Sequence, residues 1–392
     1  MSDQLTRQRV HVALLIETSN AYARGLLHGI RDYARESPNW TTSLGEQSRG
    51  APPPSWLKDW RGDGIIARVE NARIAEAIQA TKVPVIDVSA AQLLSSAPCV
   101  ETDDEEIARL AAGHFIERGL KHFAFCANYG FNWSTWRCEH FVRFIQEAGF
   151  DCSVFQPRPS RGVPDPWKQN PRRLADWIRE LPKPVGVMAA WDGCGLHVVN
   201  ACHHLGLAIP DEVAVLGVDN DELICDIVQP SLTSIKTNPV RTGRLAAELL
   251  DKLMRGEPVE WKIYRVKPET VIARQSTDSM AISDPDVVLA MQFIRRHACE
   301  GIHVEDVLRV VSLGRRTLES RFRKLLGRTP HEEIVRIQTQ RVKELLTATD
   351  LPLREIAQRA GFNHVEYLSR AFKKQTGVPP SVYRKQSRSS DN

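Results

Sequence analysis

The stretch LREIAQRAGFNHVEYLSRAFKKQTGVPPSVYR, residues 353–384, decides what the last quarter of this chain is. It reads as helix, glycine turn, helix, glycine stop. Val365, Leu368 and Phe372 recur at helical spacing and form an apolar stripe, with Glu366, Tyr367, Arg370, Lys373 and Lys374 off it. Asn363 stands just before the second helix, where its side chain is predicted to cap the exposed N–H groups.

The same pattern occurs 50 residues upstream. Leu318, Phe322, Lys324, Gly327 and Pro330 match Leu368, Phe372, Lys374, Gly377 and Pro380. The pair Val307-Leu308 matches Ile356-Ala357 at a spacing of 49, a one-residue difference in the turn. The first copy buries Leu318, Phe322 and Leu325 and turns Arg316, Glu319, Ser320 and Arg323 the other way. Two helix pairs of this kind fit tandem helix-turn-helix units, whose second helices would enter major grooves. They also fit an amphipathic bundle with a solvated face. Charge leans towards the first: residues 283–392 hold 20 Lys and Arg against 13 Asp and Glu, and the rest holds 32 against 35.

The 353–384 stretch resembles the signature of AraC-type transcription regulators, I-A-x-x-x-G-F followed by F-x-x-x-x-G-x-x-P and Y-R. Ile356, Ala357, Gly361, Phe362, Phe372, Gly377, Pro380, Tyr383 and Arg384 all match. The first unit matches more loosely, with Leu308 where the family has Ala and Gly314 where it has a capping Ser. The resemblance implies double-stranded operator DNA as a partner. It implies contacts from Arg315, Arg316, Glu319 and Arg323 in the first unit, and from Asn363, His364, Glu366, Tyr367, Arg370 and Lys374 in the second.

Upstream the grammar changes. A chain of 392 residues is two to three times a single-domain length, so at least two cores are expected. From 10 to about 276, apolar runs such as Val10–Ile16, Gly64–Val69, His122–Ala127, Val185–Ala190 and Val213–Val218 alternate with helical stretches. Strands alternating with helices of 10–15 residues predict a parallel sheet, and continuous apolar runs predict strands covered on both faces. The count fits one barrel or two doubly wound lobes. The polar segment QSTDSMAISDP, 275–285, reads as a linker, and the tail QSRSSDN as frayed.

Several classes are disfavoured. No apolar run approaches the roughly 20 residues of a membrane helix. The polar first ten residues and the short run HVALLI lack a signal-peptide core, so a cytoplasmic protein is expected. Eight scattered cysteines without a C-x-x-C pair read as inert thiols. The sequence has no G-x-G-x-x-G, P-loop, G-x-S-x-G or clustered metal ligands, so neither an enzyme nor a metal or cofactor protein is expected.

LGLAIPDEVAVLGVDND (205–221) and PSLTSI (230–235) resemble the effector domain of LacI-type repressors and periplasmic sugar-binding proteins. So do 100–125, the helix VRTGRLAAELLDKLMRG (240–256) and VIARQST (271–277), all in the family's order. The fold class implied is an α/β two-lobed, periplasmic-binding-protein-like (type I) domain followed by an all-α tandem helix-turn-helix domain. The lobes would be 9–101 with 236–256, and 104–232 with 262–276. The expected domains are a sensor at 9–277, a linker at 278–285 and a DNA-binding domain at 286–386.

Open α/β sheets bind ligands at the carboxyl ends of their strands. Asp192, Asp219 with Asn220, and Ser19, Asn20 and Tyr22 fall there. Carboxylates and amides each hold two sugar hydroxyls. Arg137 sits where the sugar-binding family places a ligand-gripping Arg, and Trp133 and Trp136 offer faces to a sugar ring. The order of domains, with NAYAR (20–24), W-x-T-x-R (133–137), LADWIRELP (174–182), VDND (218–221) and RQSTD (274–278), resembles the family of xylose regulators. That implies D-xylose as effector, or another pentose or monosaccharide, and an activator rather than a repressor. It also implies a homodimer that contacts RNA polymerase, with sugar closing the lobes and re-aiming the recognition helices.

Overall fold

The computed structural model describes residues 9–37, 39–45, 48–157, 170–278 and 284–389. The chain divides into two units, Met1–Ser279 and Met280–Asn392. Of the expected linker, residues 279–283 lie outside the described residues.

The first unit holds two six-stranded sheets. Its first lobe opens with β1 (Val10–Leu15), α1 (Ala21–Glu36), β2 (Trp40–Leu44), β3 (Gly64–Ala67), α2 (Ala72–Thr81), β4 (Val85–Asp87) and β5 (Cys99–Thr102). The second lobe runs α3 (Asp104–Ile116), β6 (His122–Cys126), α4 (Asn132–Glu147), β7 (Cys152–Phe155), α5 (Pro171–Glu180), β8 (Val185–Ala189), α6 (Asp192–Leu205), β9 (Val213–Val218), α7 (Glu222–Ile227) and β10 (Thr233–Lys236). The chain returns to the first lobe for α8 (Pro239–Met254) and β11 (Ile263–Val266), and ends in the second with β12 (Thr270–Ile272). The sheet orders are β11-β5-β4-β3-β1-β2 and β12-β10-β9-β8-β6-β7.

Two expected lobe boundaries are corrected by pairing. Ile263–Val266 was expected in the second lobe, but it lies parallel to β5 with Ile263 opposite Cys99, covering that strand's open edge. Only β12 joins the second sheet, antiparallel to β10. Thr233–Lys236 also belongs to that sheet, so the middle crossing falls after Lys236. The chain thus passes between lobes three times, at 102–104, 236–239 and 266–270. The return helix is held by close approach. A Cβ on Gly29 of α1 would stand 1.9 Å from the Val240 carbonyl oxygen, and one on Gly243 of α8 2.0 Å from that of Leu26. Only glycine lets these backbones touch.

The second unit is helical: α9 (Pro285–His297), α10 (Val304–Leu308), α11 (Arg315–Leu326), α12 (Pro330–Ala348), α13 (Leu353–Arg359), α14 (Val365–Thr376) and α15 (Pro380–Ser389). The 50-residue repeat is visible in the backbone. α11 and α14 each have 12 residues, end on a left-handed glycine (Gly327, Gly377) and are followed by a helix opening with Pro. One core gathers Leu318 and Phe322, the other Ile356, Leu368 and Phe372. The long helix α12 feeds both, with Ile334 in the first and Val342 and Leu346 in the second. Gln338 Nε2 in its middle donates to the Ala298 and Gly361 carbonyls at 2.9 and 3.0 Å, tying the halves together. Two expectations are corrected. The cap of α14 is His364, without a side-chain bond, and Asn363 is exposed one residue earlier. Residues 386–389 continue α15 instead of fraying; 390–392 lie outside the described residues.

Candidate functional site

A cavity of about 310 Å³ opens between the lobes of the first unit, at the carboxyl ends of β1, β3, β5, β8 and β9. That is near the lower end of the ~300–1,000 Å³ typical of small-molecule sites. The first lobe contributes Ser19, Asn20, Tyr22, Arg49, Arg68 and Glu101 to the wall. Asp104, Trp133, Arg137, Trp191, Asp192, Asp219 and Asp221 come from the second.

Charge in this cavity is largely committed. Arg137, 5% exposed, donates from Nε to Asp104 at 2.6 Å and from a terminal nitrogen to the Ala190 carbonyl at 2.6 Å. One turn earlier on α4, Trp133 lies 5.0 Å from its guanidinium. Arg68 pairs with Glu17 and, at 3.0 Å, with Glu70. The guanidinium of Arg68 lies 5.6 Å from the Tyr22 ring, whose hydroxyl shares a 2.9 Å hydrogen bond with Thr102. Asp192 accepts from Ser234 Oγ at 2.6 Å and from the Asp221 N–H at 2.7 Å. Burial, with the charge of Asp219 second, holds the Asp192 carboxyl well above the usual range.

Asp219 differs from these carboxylates. Among the described residues it has neither hydrogen bond nor ion pair at its side chain. Burial raises its pKa, opposed by the positive charges of Arg137, Arg49 and Arg68. Its backbone is left-handed, with φ of 98°, as is that of Asn220 at 51°, a conformation Asp and Asn tolerate. This turn presents the carboxylate to the cavity, a group ready to accept two hydroxyls.

Of the nine ligand residues expected, seven line the cavity: Ser19, Asn20, Tyr22, Trp133, Arg137, Asp192 and Asp219. Asn20 is engaged at both ends, accepting from Ala23 N–H as the cap of α1 and donating to Glu17, each at 2.8 Å. Trp136 and Asn220 do not line it. Trp136 is off the face that Trp133 and Arg137 share four residues apart. The Asn220 N–H donates to Ser234 Oγ at 3.0 Å, and its side-chain oxygen is buried without a partner. Sequence reading missed Arg49, Arg68, Glu101, Asp104, Trp191 and Asp221. Arg68, Glu101 and Trp191 line the cavity, and each keeps a buried polar atom, Nε, Oε2 and Nε1 in turn, without a hydrogen-bond partner among the described residues. Their signal in sequence was position after β3, at the end of β5 and after β8.

On the second unit the two candidate DNA surfaces are unlike. Arg315 bonds Glu305 at 2.6 Å and Glu319 at 3.1 Å, so two of the expected contacts neutralise each other. Arg316 and Arg323 are exposed without ion pairs among the described residues. On α14, Glu366, Tyr367, Arg370, Lys373 and Lys374 are all exposed, and Tyr367 Oη shares a 3.2 Å hydrogen bond with His331. Gly314 caps α11 without a side chain, and α10 has five residues where α13 has seven. Among the described residues no helix is long and apolar enough to cross a membrane.

A two-lobed α/β cleft followed by two helix-turn-helix pairs defines a ligand-responsive, DNA-binding transcription regulator rather than an enzyme. Three family descriptions match along the chain: the XylR N-terminal domain at 11–102, a periplasmic binding protein-like domain at 112–277, and a helix-turn-helix domain at 307–386. The xylose operon regulatory protein of Escherichia coli K12 is 33% identical over 385 residues, covering 96% of this chain and 97% of that protein. Its counterpart in Haemophilus influenzae is 30% identical, covering 97% and 99%. The solved structure of the xylose-binding transcription activator XylR superposes with a TM-score of 0.62 at 31% identity, covering 97% of this chain and 98% of that one. The chain belongs to the xylose operon regulatory protein family.

Proposed function

We propose that this regulator senses D-xylose in the cleft and activates xylose-utilisation genes. It would act in the cytoplasm as a homodimer on double-stranded operator DNA, with contact to RNA polymerase. The sensor would span 9–277, the linker 278–285 and the DNA-binding domain 286–386. The observation that carries the reading is Asp219, a carboxylate without a hydrogen-bond or ion-pair partner among the described residues, on a cavity of about 310 Å³. A space of that size suits a monosaccharide better than anything longer. Asp219 would accept sugar hydroxyls, Arg137 would donate to one, and the Trp133 face would cover the ring. The full-length relatives, a xylose operon regulatory protein and a xylose-binding transcription activator, support both effector and sign. On DNA, Arg316 and Arg323 of α11 and Glu366, Arg370 and Lys374 of α14 would face the grooves.

Calorimetry with D-xylose, other pentoses and hexoses tests the reading, followed by operator binding with and without sugar. D-xylose should bind best. Asp219→Ala should lose about ten- to a hundredfold in affinity, the effect of roughly 1.5–3 kcal/mol for a hydrogen bond to a charged group. Its melting temperature should fall by only a few degrees, the cost of an alanine at a left-handed position, and Asp219→Asn, which keeps the turn, should lose affinity with less change in melting temperature. Unchanged D-xylose binding in Asp219→Ala would sink the reading.

A further inference from the structure

Glu101 occupies the cleft wall without a role in the contacts assigned above. It is the third residue of β5, 4% exposed, and its Oε2 is buried with no hydrogen-bond partner. The other carboxylates tied down in this cleft are spoken for: Asp104 by Arg137, Asp192 by Ser234 and the Asp221 N–H, Glu17 by Arg68. The cation nearest Glu101 is Arg265 of β11, whose Nε stands 3.8 Å from the other carboxyl oxygen, and that side chain is 61% exposed. Buried oxygens without partners are rare in folded proteins, and each calls for an explanation. Here the atom belongs to a residue that lines a cavity. Arg68 Nε, buried and also without a partner, lies on the same lobe's wall. An orphan acceptor and an orphan donor suit hydroxyl groups, which both donate and accept.

We propose that Glu101 takes one hydroxyl of the ligand directly and so helps to set which monosaccharides the cleft accepts. This rests on the reading of the cleft as a sugar site. Discrimination follows from the geometry. A ligand lacking that hydroxyl leaves the buried oxygen unpaired, and buried polar groups left unpaired reject a ligand far more strongly than a missing methylene does.

The surroundings of Glu101 add a second consequence. Burial, then the Asp104 carboxylate, pushes its carboxyl up to about 7; the charge of Arg265 and a hydrogen bond from the Gln92 side chain to the carboxyl group oppose this, and Asp103 adds to it. On the neighbouring strand Asp87 is pushed up by burial to about 8, and burial also raises the Cys99 thiol beside it. Among the described residues the cation that acts on the group is Arg265 of β11. Bound sugar removes further water from this wall, which favours the neutral carboxyl. Binding should therefore be full below about pH 7 and weaken as the pH rises through that value.

The test is calorimetry on the full-length chain with D-xylose and its monodeoxy analogues between pH 6 and 8.5. The wild type should weaken across the upper half of that range. Glu101→Gln keeps shape, donor and acceptor, so it should bind close to wild type at pH 6 and lose the pH dependence. Glu101→Ala should bind D-xylose roughly tenfold more weakly. One monodeoxy analogue should suffer the same loss on wild type and no further loss on Glu101→Ala. Wild-type affinity for every analogue in Glu101→Ala overturns the contact. A pH-independent wild type overturns the neutral carboxyl. If the wild type binds no monosaccharide at all, the sugar reading itself fails, and that result is distinguishable from both.

Discussion

Removing Arg137 should destabilise the sensor as well as weaken its hold on ligand, so the two effects have to be separated. Arg137 and Asp104 are 5% and 6% exposed and meet at 2.6 Å. Losing one partner of such a buried pair strands the other charge, which typically costs about 3–5 kcal/mol. Arg137→Met should therefore lower the melting temperature of the sensor on the order of 10 °C, at roughly 2–4 °C per kcal/mol for a domain of this size. Asp104 sits in the first turn of α3, where the helix dipole favours a negative charge, so the smaller end of the range is expected. Asp104→Asn removes the stranded charge. The double variant Arg137→Met with Asp104→Asn should recover part of the loss, because the two residues touch. Thermal unfolding of wild type, both single variants and the double variant closes the cycle. D-xylose calorimetry on the double variant then asks the functional question on a folded protein, and affinity should remain lost. Additivity of the two single effects within about 0.5 kcal/mol would refute the reasoning, since it would mean the pair does not couple.

The cleft and the second helix pair give two further expected outcomes. Arg49, on the first lobe, ion-pairs with Glu70 at 3.2 Å and lays its guanidinium 4.4 Å from the Phe131 ring and 5.6 Å from Trp133 of the second. Arg49→Ala should speed D-xylose release roughly five- to thirtyfold, the effect of about 1–2 kcal/mol of cation–π attraction across the cleft; a stopped-flow release rate equal to wild type would contradict it. On DNA, Lys374→Ala should lower the slope of log affinity against log salt by about one and weaken all sequences alike. Arg370→Ala should instead relax preference at one operator position by roughly 1–3 kcal/mol; isotherms at several salt concentrations on operator and scrambled DNA separate the two, and identical slopes and preferences in both variants would leave these side chains as mere solvated surface.

What was legible in the sequence follows from what each signal measures. β1, β6, β8 and β9 are interior strands covered on both faces, so their continuous apolar runs stand out. β2 is the edge strand WTTSL, polar and exposed along much of its length, and it carries no such signal. β11, IYRV, is strand-like in composition, but which sheet it joins depends on the free edge of β5, a tertiary fact. The site divides the same way. Ser19, Asp192 and Asp219 follow interior strands and could be found by position alone. Arg68 and Glu101 sit at the ends of β3 and β5, and nothing local marks that each keeps one buried polar atom without a partner among the described residues. Trp136 and Asn220 failed by one step of geometry each: a helix face and a left-handed turn.

The helical unit makes a related point about repeats. A 50-residue spacing predicts backbone, and the two helix pairs agree in length, stop and following proline. It does not predict charge. In α11 the leading Arg315 is neutralised by Glu305 and Glu319, while on α14 the basic residues Arg370, Lys373 and Lys374 have no ion pair among the described residues. Counterion release scales with the free cations delivered to phosphate. Each pair still delivers three cations without an ion pair among the described residues, Arg316, Arg323 and Lys324 against Arg370, Lys373 and Lys374, so both should hold phosphate of any sequence, while α12 and Gln338 tie the two cores together.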